Sequence, residues 1–168
     1  SRAHGKTPRE PWQYGDMALK EVKKWINFRH RLVPYLYHTA CQTHQSGIPM
    51  IRPLVMEYPK DPIAKIQNLS YMLGDALLIS PGFDRDEYEL YLPEGRWQDI
   101  ESKEVYEGMT FVHIENKAFA DGGTSLRVFQ KEGTSIPLFA QKEVLHVPAQ
   151  LWKQEDLEFM TFQKKDVD

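Results

Sequence analysis

With 168 residues, 41% of them apolar and 27% charged, the chain has the composition of a globular protein with room for one or two small domains, not of a disordered one. Its 21 basic and 24 acidic residues are intermixed and sum to −3, so no basic stripe exists to neutralise phosphates, and nucleic-acid binding is not expected. No run approaches the roughly 18 to 20 apolar residues that cross a bilayer, so no membrane role is expected either. Ser1 to Lys6 lead into no apolar signal core, and any leader would lie upstream if the chain is a piece of a longer protein. Cys41 is the only cysteine, which excludes an internal disulfide and a thiolate metal cluster and fits a reducing compartment such as the cytoplasm. On a helical pattern it reads as a small core hydrophobe.

Residues 1–16 carry Gly5, Pro8, Pro11 and Gly15 and no sustained apolar period, so they read as a loop. Asp16 then stands as an N-cap. Val22, Trp25, Ile26, Leu32, Val33, Leu36, Tyr37 and Ala40 recur at three- and four-residue spacing, which predicts a long helix ending at Gly47. Pro34 cannot donate to the carbonyl of His30, so the helix should bend or break there. The apolar run Met50 to Glu57 reads as a strand buried on both faces, in the manner of parallel sheets. Pro59, Asp61 and Pro62 mark a boundary, and residues 63–73 read as a short helix.

Beyond Gly74 the grammar changes. Strand-like runs at 76–80, 88–92, 109–114, 126–129 and 135–139 alternate with the turn signals Pro81-Gly82, Pro93-Glu94-Gly95, Glu107-Gly108, Asp121-Gly122-Gly123 and Glu132-Gly133. This is the pattern of an antiparallel sandwich or barrel. Tyr91, Phe111, Val128 and Phe139 are expected to face inward. The fold class read from the chain is therefore α/β followed by all-β.

Few residues offer chemistry. Asp84, Asp86, Glu87 and Glu89 cluster in a charged stretch that reads as a solvated turn, whereas Glu57 ends an apolar strand, where barrel enzymes place functional groups. His30, His38 and His44 share the long helix without the i, i+4 pairing of a metal site, so no metal and no cofactor is expected. Neither a phosphate-binding glycine loop nor a Gly-x-Ser-x-Gly elbow is present. His4, with Arg2 beside it and Arg9-Glu10-Pro11-Trp12 following, combines donors with an aromatic plane, the mixture a sugar site requires; an exposed polar loop is the other reading.

Six segments in order then resemble glycoside hydrolase family 31, the α-glucosidase and α-xylosidase family. SRAHG with PREPW resembles its Arg-x-His loop, RLVPYLY its R-x-x-L-L-P-Y-L-Y helix, and GIPMIRPLVMEYPKDP its G-x-P-x-x-R-P-L-x-x-E-F-P-x-D strand. YMLGDALLISP is similar to its Y-M-L-G-D-x-L-L-V-A-P segment, YLPEGRWQDI to its Y-L-P-x-G-x-W-x-D hairpin, and RVFQKEGTSIPL to P-V-F-x-K-x-G-x-I-I-P-L. Arg127 departs from the usual Pro, and Gln141-Lys142 from a small or apolar continuation.

The resemblance implies that residues 1–58 are the last β/α units of a (β/α)8 barrel, that 59–150 form the proximal C-terminal β-sandwich, and that 151–168 are a tail or the start of a distal domain. It implies a retaining hydrolase of α-linked oligosaccharides whose two catalytic aspartates lie upstream, so that no catalytic residue is in this chain. It gives His4 the role of a direct substrate ligand, with Arg2 as its support. The expected partners are the glycoside substrate and the remainder of the parent enzyme. A non-catalytic carbohydrate-binding or structural sandwich module is the alternative, and the Arg-x-His loop is what separates the two.

Overall fold

A computed structural model of the chain describes residues 8–82, 87–115, 126–140 and 152–164. Two helices come first. Helix α1 (Asp16–Arg31) is capped by Gly15, one residue before the expected cap, so that Asp16 falls in its first turn, and Arg29, His30 and Arg31 lie in its last. Those charges complement the helix dipole at both ends. The break falls at Leu32, two residues before Pro34, whose missing N–H leaves the His30 carbonyl without its helical donor. Helix α2 (Val33–Ser46) restarts with Pro34 in its first turn and ends at Gly47, whose φ of 76° is the left-handed cap and whose N–H bonds Thr43 O at 2.8 Å.

The run from Met50 to Glu57 does not form one buried strand. Only Ile51–Pro53 (β1) is extended, and Leu54–Glu57 turns at once into a short helix, α3. β1 is an edge strand that pairs antiparallel with Tyr71–Leu73 (β2), so Ile51 is 60% exposed while Arg52 is buried. Pro53 cannot donate to a ladder and suits that edge. Residues 63–73 likewise form no helix. The Asp61 carboxylate accepts from the N–H groups of Ile63 and Ala64, one turn follows, and the segment continues into β2.

The remaining strands are β3 (Leu77–Ser80), β4 (Glu87–Leu92), β5 (Arg96–Asp99), β6 (Val105–Glu107), β7 (Thr110–Glu115), β8 (Arg127–Lys131), β9 (Thr134–Phe139) and β10 (Leu157–Phe162). They make a six-stranded sheet in the order β1-β2-β3-β8-β5-β6 and two ladders, β4–β7 and β9–β10. Every pairing among the described strands is antiparallel. Among the described residues strands thus outnumber helices, as a β-sandwich requires.

Alternation gives the large sheet two cores. Met72, Leu78, Phe129 and Trp97 pack against Tyr88, Leu90 and Leu92 of β4 and Val112 and Ile114 of β7. On the opposite face Leu77, Ile79 and Val128 meet Leu32 and Tyr35 of the helices and Ile136 and Leu138 of β9. Trp97 is fully buried, and its indole N–H donates to Pro93 O at 2.8 Å, so the ring is sequestered with no polar cost. Burying each large side chain here stabilises the fold by about 1.5–3 kcal/mol.

Of the four side chains expected inward, Tyr91, Val128 and Phe139 are buried, whereas Phe111 is 49% exposed. Val112 and Ile114 take the core face of β7, and strand alternation puts Phe111 on the other side. There it lies 5.2 Å from Tyr91, its ladder partner, which is covered because its hydroxyl donates to Asp61 Oδ2 at 2.7 Å. Cys41 is exposed, contrary to the core position expected of it, because α2 turns Pro34, Tyr35 and Thr39 toward the sheet instead. Arg127, the departure from the family pattern, opens β8 at the middle of the sheet and faces the buried Asp99, Nη1 to Oδ2 at 3.6 Å.

Candidate functional site

Arg2 and His4, the expected sugar ligands, lie outside the described residues. The chain that continues them is described from Pro8. Pro11–Tyr14 forms one 3-10 turn, with Gln13 N bonded to Glu10 O at 2.9 Å, and it presents Trp12 and Tyr14 at 62% and 66% exposure. Gly15, at φ 90°, then swings the chain into α1. The loop's aromatic residues are therefore on the surface, carried by the start of the helix pair.

Helix α1 has no buried residue in sixteen. Its apolar positions border a groove of about 650 Å3 that runs between Val22, Ile26 and Leu36 of the helices and Ile51, Tyr71 and Leu126 of the sheet. Arg29 is its one charged lining residue. So apolar a surface offers few hydrogen bonds to a sugar; it suits the packing of further protein.

Three of the described carboxylates are held in structural roles. Glu57 receives the Arg52 guanidinium at 2.6 Å, and Arg52 also donates through Nε to Pro49 O at 2.7 Å. This pair ties α3 to β1, and it had a signal in the sequence: a lone arginine in the apolar run of Met50 to Met56, five residues before a glutamate. Asp99 Oδ1 accepts from the N–H groups of Glu101 and Ser102 and shapes the turn after β5. Asp61 is partly desolvated, which acts upward, but the Tyr91 hydroxyl and the amides of Ala64 and Ile63 outweigh this and hold its carboxyl below the usual range.

Of the acidic cluster, Asp84 and Asp86 lie outside the described residues. Glu87 and Glu89 flank the exposed His113 on the outer face of the β4–β7 ladder, with His113 Nδ1 2.8 Å from Glu89 Oε1. The Glu89 hydrogen bond raises the imidazole pKa, helped by the charges of Glu87 and Glu115. His38 and His44 are exposed and His30 half-buried. No group of three His, Cys, Asp or Glu side chains that could hold a metal occurs among the described residues.

Comparison with known proteins agrees with this layout. Residues 1–39 match the model of the glycosyl hydrolases family 31 TIM-barrel domain, and residues 47–143 match the glycosyl hydrolase family 31 C-terminal domain. The 1,6-alpha-glucosyltransferase of Sporosarcina globispora is 33% identical over 81% of the chain and 11% of its own length. Alpha-glucosidase 2 of Bacillus thermoamyloliquefaciens is 33% identical over 83% of the chain and 17% of its own. Among solved structures, the cycloalternan-forming enzyme of Listeria monocytogenes in complex with a pentasaccharide substrate superposes with a TM-score of 0.76 at 30% identity, over 97% of this chain and 16% of that one. The chain thus spans about a tenth to a sixth of the length of these relatives. Strand β10 lies beyond both family matches.

Proposed function

Because the chain belongs to glycosyl hydrolase family 31, we propose that it is the C-terminal portion of a retaining α-glycoside hydrolase of the α-glucosidase or α-xylosidase type, contributing one wall of the active site. The observation that supports this most is the order of the two matches, barrel model then C-terminal model, within a chain covering only 11% to 17% of those two curated relatives. In this reading residues 1–58 are the last β/α units of the barrel, 59–150 the proximal sandwich, and 151–168 a tail or the opening of a further domain. The division falls just after α3.

A retaining mechanism places two carboxyl groups about 5–5.5 Å apart, one as nucleophile and one as acid and base. Glu57, Asp61 and Asp99 are engaged by Arg52, Tyr91 and backbone amides, and the reading assigns both catalytic carboxylates to the upstream barrel. His4 supplies a ring N–H to a substrate hydroxyl, and the guanidinium of Arg2 supports it. Such donors accelerate the reaction to the extent that they bind the oxocarbenium-like transition state more tightly than the ground state. The apolar groove beside α1 seats the remainder of the parent enzyme, since a barrel closes only when every edge strand is paired.

The test is the activity of the isolated 168-residue chain on a nitrophenyl α-glucoside and a nitrophenyl α-xyloside. No turnover is expected. Turnover that disappears on neutralising one acidic residue of this chain would place catalysis here and overturn the reading.

A further inference from the structure

A second cavity, of about 380 Å3, opens where α1, the turn after β5 and the β9–β10 ladder meet. Its floor is apolar: Trp25 and Phe28 of α1, Leu138 of β9 and Met160 of β10. Around the rim stand three cations, Lys24, Arg31 and Lys103, and two carboxylates, Glu101 and Glu158. The volume is within the usual range of small-molecule sites, and a few polar groups over an apolar base is their usual composition.

The rim is ordered before any ligand arrives. Lys24 Nζ reaches Glu101 Oε1 at 2.8 Å across 77 residues of sequence, and Arg31 is fixed by the Glu158 carboxylate and by its own Nε donating to Phe139 O at 3.0 Å. The turn that carries Glu101 and Lys103 is held by Asp99, which accepts from Glu101 N at 2.7 Å and Ser102 N at 3.1 Å, while Lys103 N bonds Asp99 O at 3.0 Å. Lys103 has a φ of 65°, a left-handed backbone that glycine would adopt at less cost. Its ammonium has no ion-pair partner among the described residues, which leaves a donor open at the rim beside the carboxylate of Glu101.

The chemistry of the rim selects the ligand class. A multivalent anion would meet Glu101 and Glu158, a cation would meet Lys24, Arg31 and Lys103, and a wholly apolar molecule would desolvate all five charges without replacing their hydrogen bonds. A neutral polyol satisfies both signs at once, because each hydroxyl can accept from an ammonium and donate to a carboxylate. One apolar side is also needed, to lie on Trp25, Phe28, Leu138 and Met160. We propose that the cavity between α1, the β5–β6 turn and the β9–β10 ladder binds a single neutral pyranose unit, with Glu101 and Lys103 as its polar contacts. Choosing a pyranose among neutral polyols rests on the glycoside-hydrolase reading above, whereas the cavity and its charge balance do not. Glu158 and Met160 lie outside both family matches, so the site is not something the matched segments assign.

The 168-residue chain, labelled with 15N, is titrated with methyl α-D-glucopyranoside, and in separate arms with inorganic phosphate and with glycerol. Saturable amide shifts confined to residues 24–31, 99–103 and 157–160 are expected with the glucoside alone. Glu101→Gln combined with Lys103→Gly, which keeps a residue suited to the left-handed turn, should weaken binding by about tenfold, as expected from losing one or two charge-assisted hydrogen bonds. Lack of saturation at these amides, an affinity unchanged in the double variant, or stronger binding of phosphate overturns the proposal. So does glycerol matching the glucoside, since the ring would then contribute nothing. Shifts confined to residues 8–15 would sink this site and leave the His4 reading standing; saturation at the cavity by a chain whose parent proves to lack glycosidase activity would do the reverse.

Discussion

A Cβ built on Gly74 would stand 2.2 Å from the hydroxyl oxygen of Tyr35. That hydroxyl donates to Leu73 O at 2.7 Å and accepts from Ala76 N at 3.2 Å, so one side chain of α2 holds both ends of the turn that joins β2 to β3. Gly74 also has a φ of 63°, which disfavours any side chain there. Burial pushes the Tyr35 hydroxyl pKa up to about 12, and it remains a donor at neutral pH. Gly74→Ala should therefore destabilise the protein by about 2–4 kcal/mol, from overpacking plus backbone strain. Tyr35→Phe alone should cost about 1–3 kcal/mol by stranding the Leu73 and Ala76 groups. Because it removes the clashing atom, the double variant should lose less than the sum, a non-additivity that urea denaturation of the four proteins would detect.

Acid should weaken the anchor between Asp61 and Tyr91. A carboxyl whose pKa is lower in the folded than in the unfolded state adds stability above its unfolded value, and that contribution is lost as the pH falls through the folded value. Wild type should accordingly lose stability steeply below about pH 4, and Asp61→Asn should flatten that limb while lowering stability at neutral pH. Denaturant midpoints measured across this range check both halves; parallel curves would remove Asp61 from the acid response.

Although β10 lies beyond the family matches, it is bonded to β9 over six register positions, and Gln130 Nε2 donates to Met160 O at 2.8 Å. Trp152, ahead of it, sets its ring against Tyr37 of α2 and Phe139 of β9, with centroids 5.7 and 5.0 Å away. Ending the chain at residue 151 should cost at least about 3 kcal/mol, from re-exposed Ile136, Leu138 and Phe139 and the lost ring contacts. Loss of a cooperative melt, or a midpoint lowered to that extent, is the expected result. An unchanged melt would make the segment an appendage.

His4→Ala in the complete enzyme should lower kcat/KM by about 2–4 kcal/mol of transition-state stabilisation, with little change in Tm. An exposed loop histidine would move neither quantity, and collapse of the fold would make it structural.

Much of the architecture is legible in the sequence where one residue dictates the backbone. Pro34 fixes the break between α1 and α2, and Gly47 the end of α2. Turn residues separate the strands well enough that five were expected near their observed places. What fails is burial. Met50 to Glu57 is apolar enough for a central strand, but being apolar does not say whether a neighbour pairs on both sides, and β1 is an edge. Phe111 and Cys41 show the same limit: hydrophobicity favours burial, yet which face a strand or helix turns inward depends on partners far away in sequence. Strand β10 alternates weakly, and its place follows from Gln130 and Trp152 contacts that no local pattern encodes. Of the candidate site, the Arg-x-His loop is legible only through its context and resemblance, whereas the cavity beside Trp25 joins four separate segments and has no sequence signature.

Strand β8 lies between β3 and β5 in the sheet, although some fifty residues of chain separate it from β3. The sheet therefore cannot close until residue 131 has left the ribosome. At about 5–20 residues per second, the apolar strand Leu77 to Ile79 waits several seconds for its partner. During that interval one edge is open and each face still lacks later-made partners, Val112 and Ile114 on one and Ile136 and Leu138 on the other, so the nascent chain passes through a window in which capture by a chaperone competes with aggregation.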